Sequence, residues 1–339
     1  MNLKINYFLT IMFIHNNLEK SRTNFVRMCG ELACLLEVSA TPKPGNVHRF
    51  SDFEDLRYED FLGSAVSFGY FIEELALKGL LLADGKISWN ELELGKTIKE
   101  TISNSNHFHE HGNTNLGIIL LLCPLSVAAG MSFKNKDLFC DLASLRANIS
   151  KVMDHTTIDD AIYVSEGISS ISPGGLGKVE EYDVTDTKYR EELEINKITL
   201  VQLMSFCKAR DNICLELSQG YPITFDTGLD IMLQTLKVTQ DINLAIINSY
   251  ISILAKYPDT LISRKFGKEK AKKISAQAMD IIQLGGALSL EGRRELEGLD
   301  IELREEDEKV NPGTTADIVA ASIFLYLLEG GKFWRLPTD

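Results

Sequence analysis

Several features that would place this chain in a familiar class of protein are missing from its sequence. Its longest apolar run, residues 118–129, contains Pro124 and falls short of the ~18 residues that a membrane-spanning helix needs. It has no P-loop, no dinucleotide-binding glycine pattern, no zinc-ribbon spacing and no serine nucleophile elbow. We therefore expect neither a membrane span nor one of these well-known active-site motifs.

Cysteine and basic charge are also scarce. The six cysteines never form a C-x-x-C pair, and most lie in apolar stretches, which predicts buried cytosolic thiols and not a disulfide scaffold. Lys and Arg number 35 against 48 Asp and Glu, a formal net charge of -13, and no basic run interrupts this balance. The charge argues against nucleic acid and anionic membranes as partners. To bind a phosphate-rich small molecule, such a chain needs a divalent cation or helix N-termini.

Helical periodicity is what the sequence has in abundance. Apolar residues recur at helical spacing in nearly every segment, whereas β-branched alternation is almost absent. The sequence predicts an all-α fold with a single compact multi-helix domain over residues 25–330. Residues 1–24 form an extra N-terminal segment, which an over-long start would explain, and residues 331–339 form a C-terminal tail. Since residues 1–24 lack a small-residue cleavage site, we expect a cytoplasmic protein.

The periodicity also predicts where the helices lie. The Ser88 and Glu91 pair is typical of a capping box at a helix start. Helices are predicted at residues 25–39, 58–82, 88–102, 116–129, 137–153, 158–170, 200–217, 228–240, 243–255, 268–284 and 315–328.

Two polar loops in the first half of the chain could bind an anion. In residues 41–46 two prolines stiffen the backbone, Gly45 permits close approach to a ligand, and Lys43 could contact phosphate. Residues 113–117 place polar side chains at a helix N-terminus, which favours an anion. A rigid connector and simple helix capping are the plainer interpretations of these two loops.

Two acidic turns in the second half could supply carboxylates. Residues 311–317 form a Pro-Gly turn that leads into a helix, and Asp317 lies in its first turn. Asp259 and Thr260 follow Pro258 and precede Arg264 in a similar way. An acid in a first helical turn stabilises the helix without further function. Carboxylates that converge in one cavity could also hold magnesium or stabilise a cationic transition state.

A histidine cluster is the last candidate. His107, His109 and His111 alternate, so an extended segment would place them on one side, as a transition-metal site requires. A solvated polar loop is the commoner explanation of such a segment, because no fixed carboxylate partner is evident.

Taken in order, these segments resemble the motifs of the triphosphoribosyl-dephospho-CoA synthase family. Several spaced motifs in the same order are stronger support than any one of them. The resemblance covers about residues 25 to 330. It rests on residues 37–46, Asp55 before residues 61–65, residues 113–117, residues 173–177 with Asp183, residues 220–222, Asp259 and Thr260 with Arg264, and residues 311–317.

The resemblance implies an all-helical enzyme that breaks the adenine–ribose bond of ATP. It would transfer the triphosphoribosyl group to the 2′-hydroxyl of 3′-dephospho-CoA, with Mg²⁺ on the triphosphate. Its partners would be nucleotide and CoA-type small molecules, and homo-oligomerisation is left open. The implied catalytic residues are Asp259 and Asp317, and the implied metal ligands are Asp55 and Asp183. The implied substrate-binding residues are Lys43, Gly45, Asn46, Asn113, Thr114, Arg264, Asn311, Gly313 and Thr315.

The chain differs from the bacterial synthases at three positions of these motifs. Phe53 stands where they have histidine, and Asn115 and Leu116 stand where they have histidine and lysine. These differences leave three alternatives: another ribosyl-phosphate transfer in cofactor biosynthesis, a metal-dependent hydrolase built on the histidine cluster, and a non-catalytic nucleotide sensor.

Overall fold

The computed structural model of this protein describes residues 2–105, 114–134, 137–171, 182–184, 186, 188–305 and 310–332, with side chains from residue 18 onward. Over these ranges the regular structure is helical, and β pairing is confined to three isolated bridges. One hydrophobic core runs from the first helix to the last. The prediction of an all-α fold with a single compact domain is confirmed.

The helices are numbered in chain order. They are α1 Asn2–Ser39, α2 Tyr58–Ser67, α3 Gly69–Ala83, α4 Leu94–Ser105, α5 Leu116–Gly130, α6 Leu142–Asp154, α7 Ile158–Ile171, α8 Tyr189–Asn196, α9 Leu200–Cys207, α10 Asn212–Gln219, α11 Asp230–Thr239, α12 Ile242–Lys256, α13 Thr260–Phe266, α14 Lys268–Gln283, α15 Leu290–Glu305 and α16 Gly313–Leu328. A π-helical segment, Thr224–Leu229, precedes α11.

Two predicted helices are each divided in the structure. The helix predicted at 58–82 breaks at Phe68, next to the point where Gly69 packs so closely on α1 that a Cβ there would lie 1.9 Å from Glu31 Oε1. The helix predicted at 200–217 breaks before Asp211, whose carboxylate accepts a hydrogen bond from the Ile213 amide (2.8 Å) and starts α10 afresh. Such local capping competes with a continuous helix.

Other helix starts also differ from the prediction. The Ser88 and Glu91 capping box is present, but it heads a short 3-10 turn, and α4 begins only at Leu94. Helix α1 runs without interruption through residue 24, the predicted end of the extra N-terminal segment. The predicted domain boundaries stay predictions.

Helix α5 lies at the centre of the fold and orients the functional site. Residues 118–130 are all buried, as expected for a helix that is apolar all round. It packs against α3 with almost no side chain between them, since a Cβ at Gly79 would lie 2.0 Å from Val127 O. Helix α16 is equally apolar and also packs on α5. The two helices present their first turns to the same cavity.

The cysteines correct one prediction. Cys29, Cys34, Cys123 and Cys140 are buried thiols, as predicted. Cys207 and Cys214 instead form a disulfide, so the prediction of six thiols is wrong for these two. The turn between α9 and α10 brings their Cα atoms to 5.7 Å, within the usual range for a disulfide.

In the described part of the chain, no helix combines the length and the apolar character that crossing a bilayer would require. A cytoplasmic location and the oligomeric state stay predictions.

Candidate active site

A cavity of about 1050 Å³ opens where the first turns of α5, α10, α13 and α16 meet the loop after α1. It brings together most of the site residues predicted from the sequence. Those in its lining are Lys43, Asn46, Asp55, Thr114, Arg264, Asn311, Gly313 and Asp317. Gly45, Asp183, Asp259 and Thr315 lie outside the lining, and Asn113 lies outside the described residues.

The loop after α1 is fixed against the loop before α16. Gly45 has φ +72, its amide donates to Asp300 Oδ1 (2.8 Å), and a Cβ there would lie 2.6 Å from Val310 O. Asn46 Nδ2 donates to the hydroxyl of Tyr250 (2.7 Å) and to the carbonyl of Pro312 (3.3 Å). Gly45 and Asn46 therefore join two loops that are more than 260 residues apart in the chain.

A buried ion pair forms one wall of the cavity. Lys43 Nζ donates to the carbonyl oxygen of Glu37 (2.9 Å) and to its carboxylate, and both side chains are almost fully buried. Burial lowers the pKa of Lys43 and raises the pKa of Glu37, while their mutual attraction opposes both changes. Because burying two charges costs more solvation than the pair regains unless the geometry is excellent, such a pair beside a cavity indicates function. The sequence analysis included Glu37 in the motif at residues 37–46 but did not select it as a site residue, because it looks like an ordinary residue near the end of a helix.

Asp317 is the fifth residue of α16, so the prediction that it lies in the first turn of its helix is wrong, because the helix begins at Gly313. Its side chain packs against the first turn of α5. A Cβ at Gly117 would lie 2.0 Å from Asp317 Oδ2, so only glycine allows this approach. Asp317 lines the cavity and is half-buried. Loss of solvation there, followed by the nearby charges of Glu37 and Asp259, raises the pKa of Asp317 well above its ordinary value. The group therefore tends to hold its proton.

Asp259 has a different position from Asp317. It is fully buried behind the cavity wall, where its carboxylate accepts hydrogen bonds from the amides of Leu261 (2.9 Å) and Ile262 (3.1 Å). It also accepts from the amide and the hydroxyl of Thr315, both at 2.8 Å. Asp259 and Thr315 thus tie the first turn of α13 to the first turn of α16.

Arg264 on α13 faces the start of α10. Its Nη1 forms an ion pair with Asp211, which caps α10. Its Nε is buried and has no hydrogen-bond partner among the described residues. Arg210 and Asp211 both line the cavity, and the sequence analysis missed them because it placed residues 200–217 in one helix.

A serine of α2, Ser64, contacts the two residues that precede α5. The hydroxyl of Ser64 is completely buried and accepts from Thr114 Oγ1 (2.8 Å) and from Asn115 Nδ2 (2.7 Å). The polar string at this helix start is therefore fixed in place beside the cavity. Asn115 occupies the N-cap position without a side-chain cap hydrogen bond.

The two predicted metal ligands are not equivalent. Asp55 lines the cavity, whereas Asp183 lies between two lining residues, Tyr182 and Val184, and is not itself in the lining. Within the described ranges, no group of three or more His, Cys, Asp or Glu side chains is placed to hold a metal ion. The histidine cluster at 107, 109 and 111 lies outside the described residues.

Part of the cavity lining is mostly apolar, and we call it the apolar arm. It is formed by α7, α9 and the short segment that ends at Val184. Its members are Ser165, Ile168, Tyr182, Leu203, Met204 and Phe206. The rings of Tyr182 and Phe206 are 5.1 Å apart. The cavity therefore joins a charged end to an apolar arm.

Curated relatives match part of the chain. A protein of Stutzerimonas stutzeri that carries the name 2-(5''-triphosphoribosyl)-3'-dephosphocoenzyme-A synthase is 29% identical over 106 residues, 31% of this chain and 36% of the relative. One of the same name from Azotobacter vinelandii is 31% identical over 110 residues, 32% of this chain and 37% of the relative. These matches span little more than a third of the length of the relatives.

A solved structure and a family model extend the likeness. The crystal structure of a triphosphoribosyl-dephospho-CoA synthase candidate from Archaeoglobus fulgidus is 25% identical and superposes with a TM-score of 0.59, covering 81% of this chain and 100% of that one. The family model described as ATP:dephospho-CoA triphosphoribosyl transferase (CitG) matches residues 24–335. The chain belongs to the CitG family, as the motifs of its sequence predicted.

Proposed function

We propose that this protein transfers the triphosphoribosyl group of ATP to the 2′-hydroxyl of 3′-dephospho-CoA and releases adenine. Membership of the family supports this reaction. The observation that carries the proposal is the Asp317 carboxyl with its raised pKa, placed at the first turn of α5 inside a cavity that also holds Lys43 and Arg264.

The reaction exchanges one bond at the anomeric carbon of the ribose for another. The bond from this carbon to the adenine nitrogen breaks, and a bond to the 2′-oxygen of the acceptor forms. Adenine is a poor leaving group unless a ring nitrogen is protonated, and the anomeric carbon gains oxocarbenium character as the base departs. A general acid and a general base are therefore needed.

Two carboxyls of the cavity suit these two tasks. Asp317 holds a proton because its pKa is raised, and in our proposal it donates this proton to the departing adenine. Glu37, ion-paired with Lys43, takes the proton of the acceptor hydroxyl. Between turnovers Glu37 releases its proton to solvent and Asp317 takes one up. Asp259 acts as a positioning residue, since its contacts hold the first turn of α16.

The lining carries four basic and four acidic side chains, and with Asp317 protonated it offers a triphosphate only one net positive charge. Its basic residues are Lys43, Arg210, Arg264 and Lys265, and its acidic residues are Glu37, Asp55, Asp211 and Asp317. We propose that Mg²⁺ enters with the triphosphate and neutralises part of its charge. Magnesium that is bound mainly by phosphates needs only one or two protein carboxylates. Asp55 is the predicted ligand in the lining. Asp183 lies between two lining residues, Tyr182 and Val184, and could provide the second carboxylate.

The test is a direct product analysis. Purified protein is incubated with ATP, Mg²⁺ and 3′-dephospho-CoA, and free adenine and the triphosphoribosylated product are measured by chromatography with mass detection. We expect the two in equal amounts. Neither product, from folded protein that binds ATP, would reject the reaction and favour a nucleotide sensor. Adenine release with some other ribosyl acceptor would favour the alternative ribosyl-phosphate transfer.

A further inference from the structure

Ser165 in the apolar arm has a buried polar group that the protein leaves unsatisfied. This residue of α7 is 1% exposed, and its Oγ has no hydrogen-bond partner among the described residues. A serine inside a helix ordinarily donates to the carbonyl one turn earlier, as Ser126 Oγ does to Leu122 O in α5 (2.7 Å). A buried hydroxyl without a partner costs about 1–3 kcal/mol of stability, so its place in a cavity wall points to a ligand.

The surroundings of Ser165 define the chemistry of that ligand. Ile168, Leu203 and Met204 are apolar, and the rings of Tyr182 and Phe206 add aromatic surface. A heteroaromatic base has apolar faces for such walls and a polar edge that one hydroxyl can pair with, as donor or acceptor. A pantetheine chain, with two amides to satisfy, would leave polar groups unpaired in this arm.

We propose that the apolar arm is an adenine subsite and that Ser165 hydrogen-bonds the polar edge of the base. This inference rests on the proposed function, which supplies two adenine-containing substrates, ATP and 3′-dephospho-CoA. The triphosphate of ATP then belongs to the charged end of the cavity, at Lys43 and Arg264. Ser165 is a binding residue for the base and takes no part in bond breaking.

The experiment measures binding by calorimetry, with one ligand at a time and Mg²⁺ present. The ligands are ATP, inosine triphosphate, inorganic tripolyphosphate and 3′-dephospho-CoA. The variants are Ser165→Ala and Phe206→Ala, and the matched control is Ser126→Ala, which removes an equally buried serine hydroxyl outside the cavity. Phe206 is 55% exposed, so its removal leaves the core intact.

In Ser165→Ala we expect Kd to rise about three- to tenfold for the substrate whose adenine occupies the arm. The rise identifies that substrate as ATP or as 3′-dephospho-CoA. If it is ATP, binding of inosine triphosphate should be weakened by a similar factor, because a hydroxyl can pair with either base edge, whereas tripolyphosphate binds unchanged. Phe206→Ala should weaken binding of the same substrate. Since the lost hydroxyl had no partner, Tm should not fall, and Ser126→Ala should bind all four ligands as the wild type does.

Unchanged affinity of Ser165→Ala for both adenine-containing ligands would overturn the subsite. An equal loss of affinity for tripolyphosphate would also overturn it, because that ligand has no base and the substitution would then have disturbed the cavity as a whole. Failure of the proposed function is distinguishable, because these measurements need no turnover. A protein that forms no product but binds adenine through Ser165 would refute the transfer and keep the subsite.

Discussion

Two aspartates that look alike in the sequence have different surroundings at the level of single residues. Asp259 and Asp317 each begin or enter a helix after a proline-containing turn. All four groups that contact the Asp259 carboxylate can donate hydrogen bonds, whereas Asp317 lies beside Gly117 and has a pKa raised well above its ordinary value. The same substitution should therefore damage the fold at one position and the chemistry at the other.

Asp317→Asn should abolish turnover and spare the fold. Asparagine matches the size and the neutrality of the protonated carboxyl but cannot deliver its proton, so we expect kcat to fall about 10²–10⁴-fold. Asp259→Asn places an NH₂ group against donors and should lower the free energy of unfolding by about 2–4 kcal/mol. Adenine release and urea unfolding of both variants check this pair. Full activity in Asp317→Asn would remove Asp317 from the mechanism.

The sequence predicted the residues that stand in unusual loops and missed those in ordinary helices. Lys43 and Asn46 were found because two prolines and a glycine mark their loop. Glu37 and Ser64 belong to motifs of the family resemblance but were not selected as site residues, and Ser165 was not noticed at all. All three lie within helices, where a single polar residue has no distinguishing pattern. Their importance depends on which distant group they face, and a single sequence does not encode that in its spacing.

At the level of elements, Glu216 fixes the corner between α10 and the π-helical segment. Its carboxylate is fully buried and accepts from the amides of Ile223 (2.7 Å) and Thr224 (2.8 Å). Burial raises its pKa to about 7, the hydrogen bonds from Thr224 and Ile223 oppose this, and the nearby charge of Asp226 adds to it. Helix α10 also carries Ile213 and Cys214 of the cavity lining, so this corner supports the site.

The raised pKa of Glu216 makes the stability of the fold depend on pH. Between pH 4.5 and about 7 the folded protein keeps a proton that the unfolded chain releases, so stability is greatest below this window and falls as pH rises through it. The expected loss from this one group is about 3 kcal/mol. Glu216→Gln, which stays neutral, should show a flatter profile in urea unfolding from pH 4.5 to 8. Parallel profiles for the variant and the wild type would contradict the prediction.

The helices that sequence analysis missed share a physical cause. Helices α8 and α13 are only eight and seven residues long, too short for a clear apolar period. Helix α15 has sixteen residues but few apolar ones, with Leu296, Leu299 and Leu303 forming a narrow buried stripe. Long amphipathic or wholly apolar helices, such as α5 and α16, were found because burial sets their pattern. The break at Phe68 lies next to the close contact of Gly69 with α1, and the break before Asp211 depends on the side-chain cap that Asp211 forms.

At the level of the whole molecule, the net negative charge of the protein and the small net charge of the cavity lining together determine how strongly a nucleotide is attracted. The net charge of -13 repels a triphosphate at a distance, and the two ion pairs of the cavity use basic groups that would otherwise attract it. Long-range repulsion of this kind slows association and is screened by salt. A cation that travels with the nucleotide removes much of the repulsion.

Magnesium should therefore decide how tightly ATP binds. We expect Kd for ATP to be at least about tenfold lower with Mg²⁺ than with excess EDTA, a difference of ~1.4 kcal/mol. In EDTA, added salt should improve ATP binding, because it screens the repulsion. The affinity for uncharged adenosine should change neither with Mg²⁺ nor with salt. Asp55→Asn should reduce the difference in Kd for ATP between Mg²⁺ and EDTA, because it removes the predicted ligand of Mg²⁺. Equal binding of ATP with and without Mg²⁺ would mean that Lys43, Arg264 and the first turn of α5 supply enough positive potential by themselves.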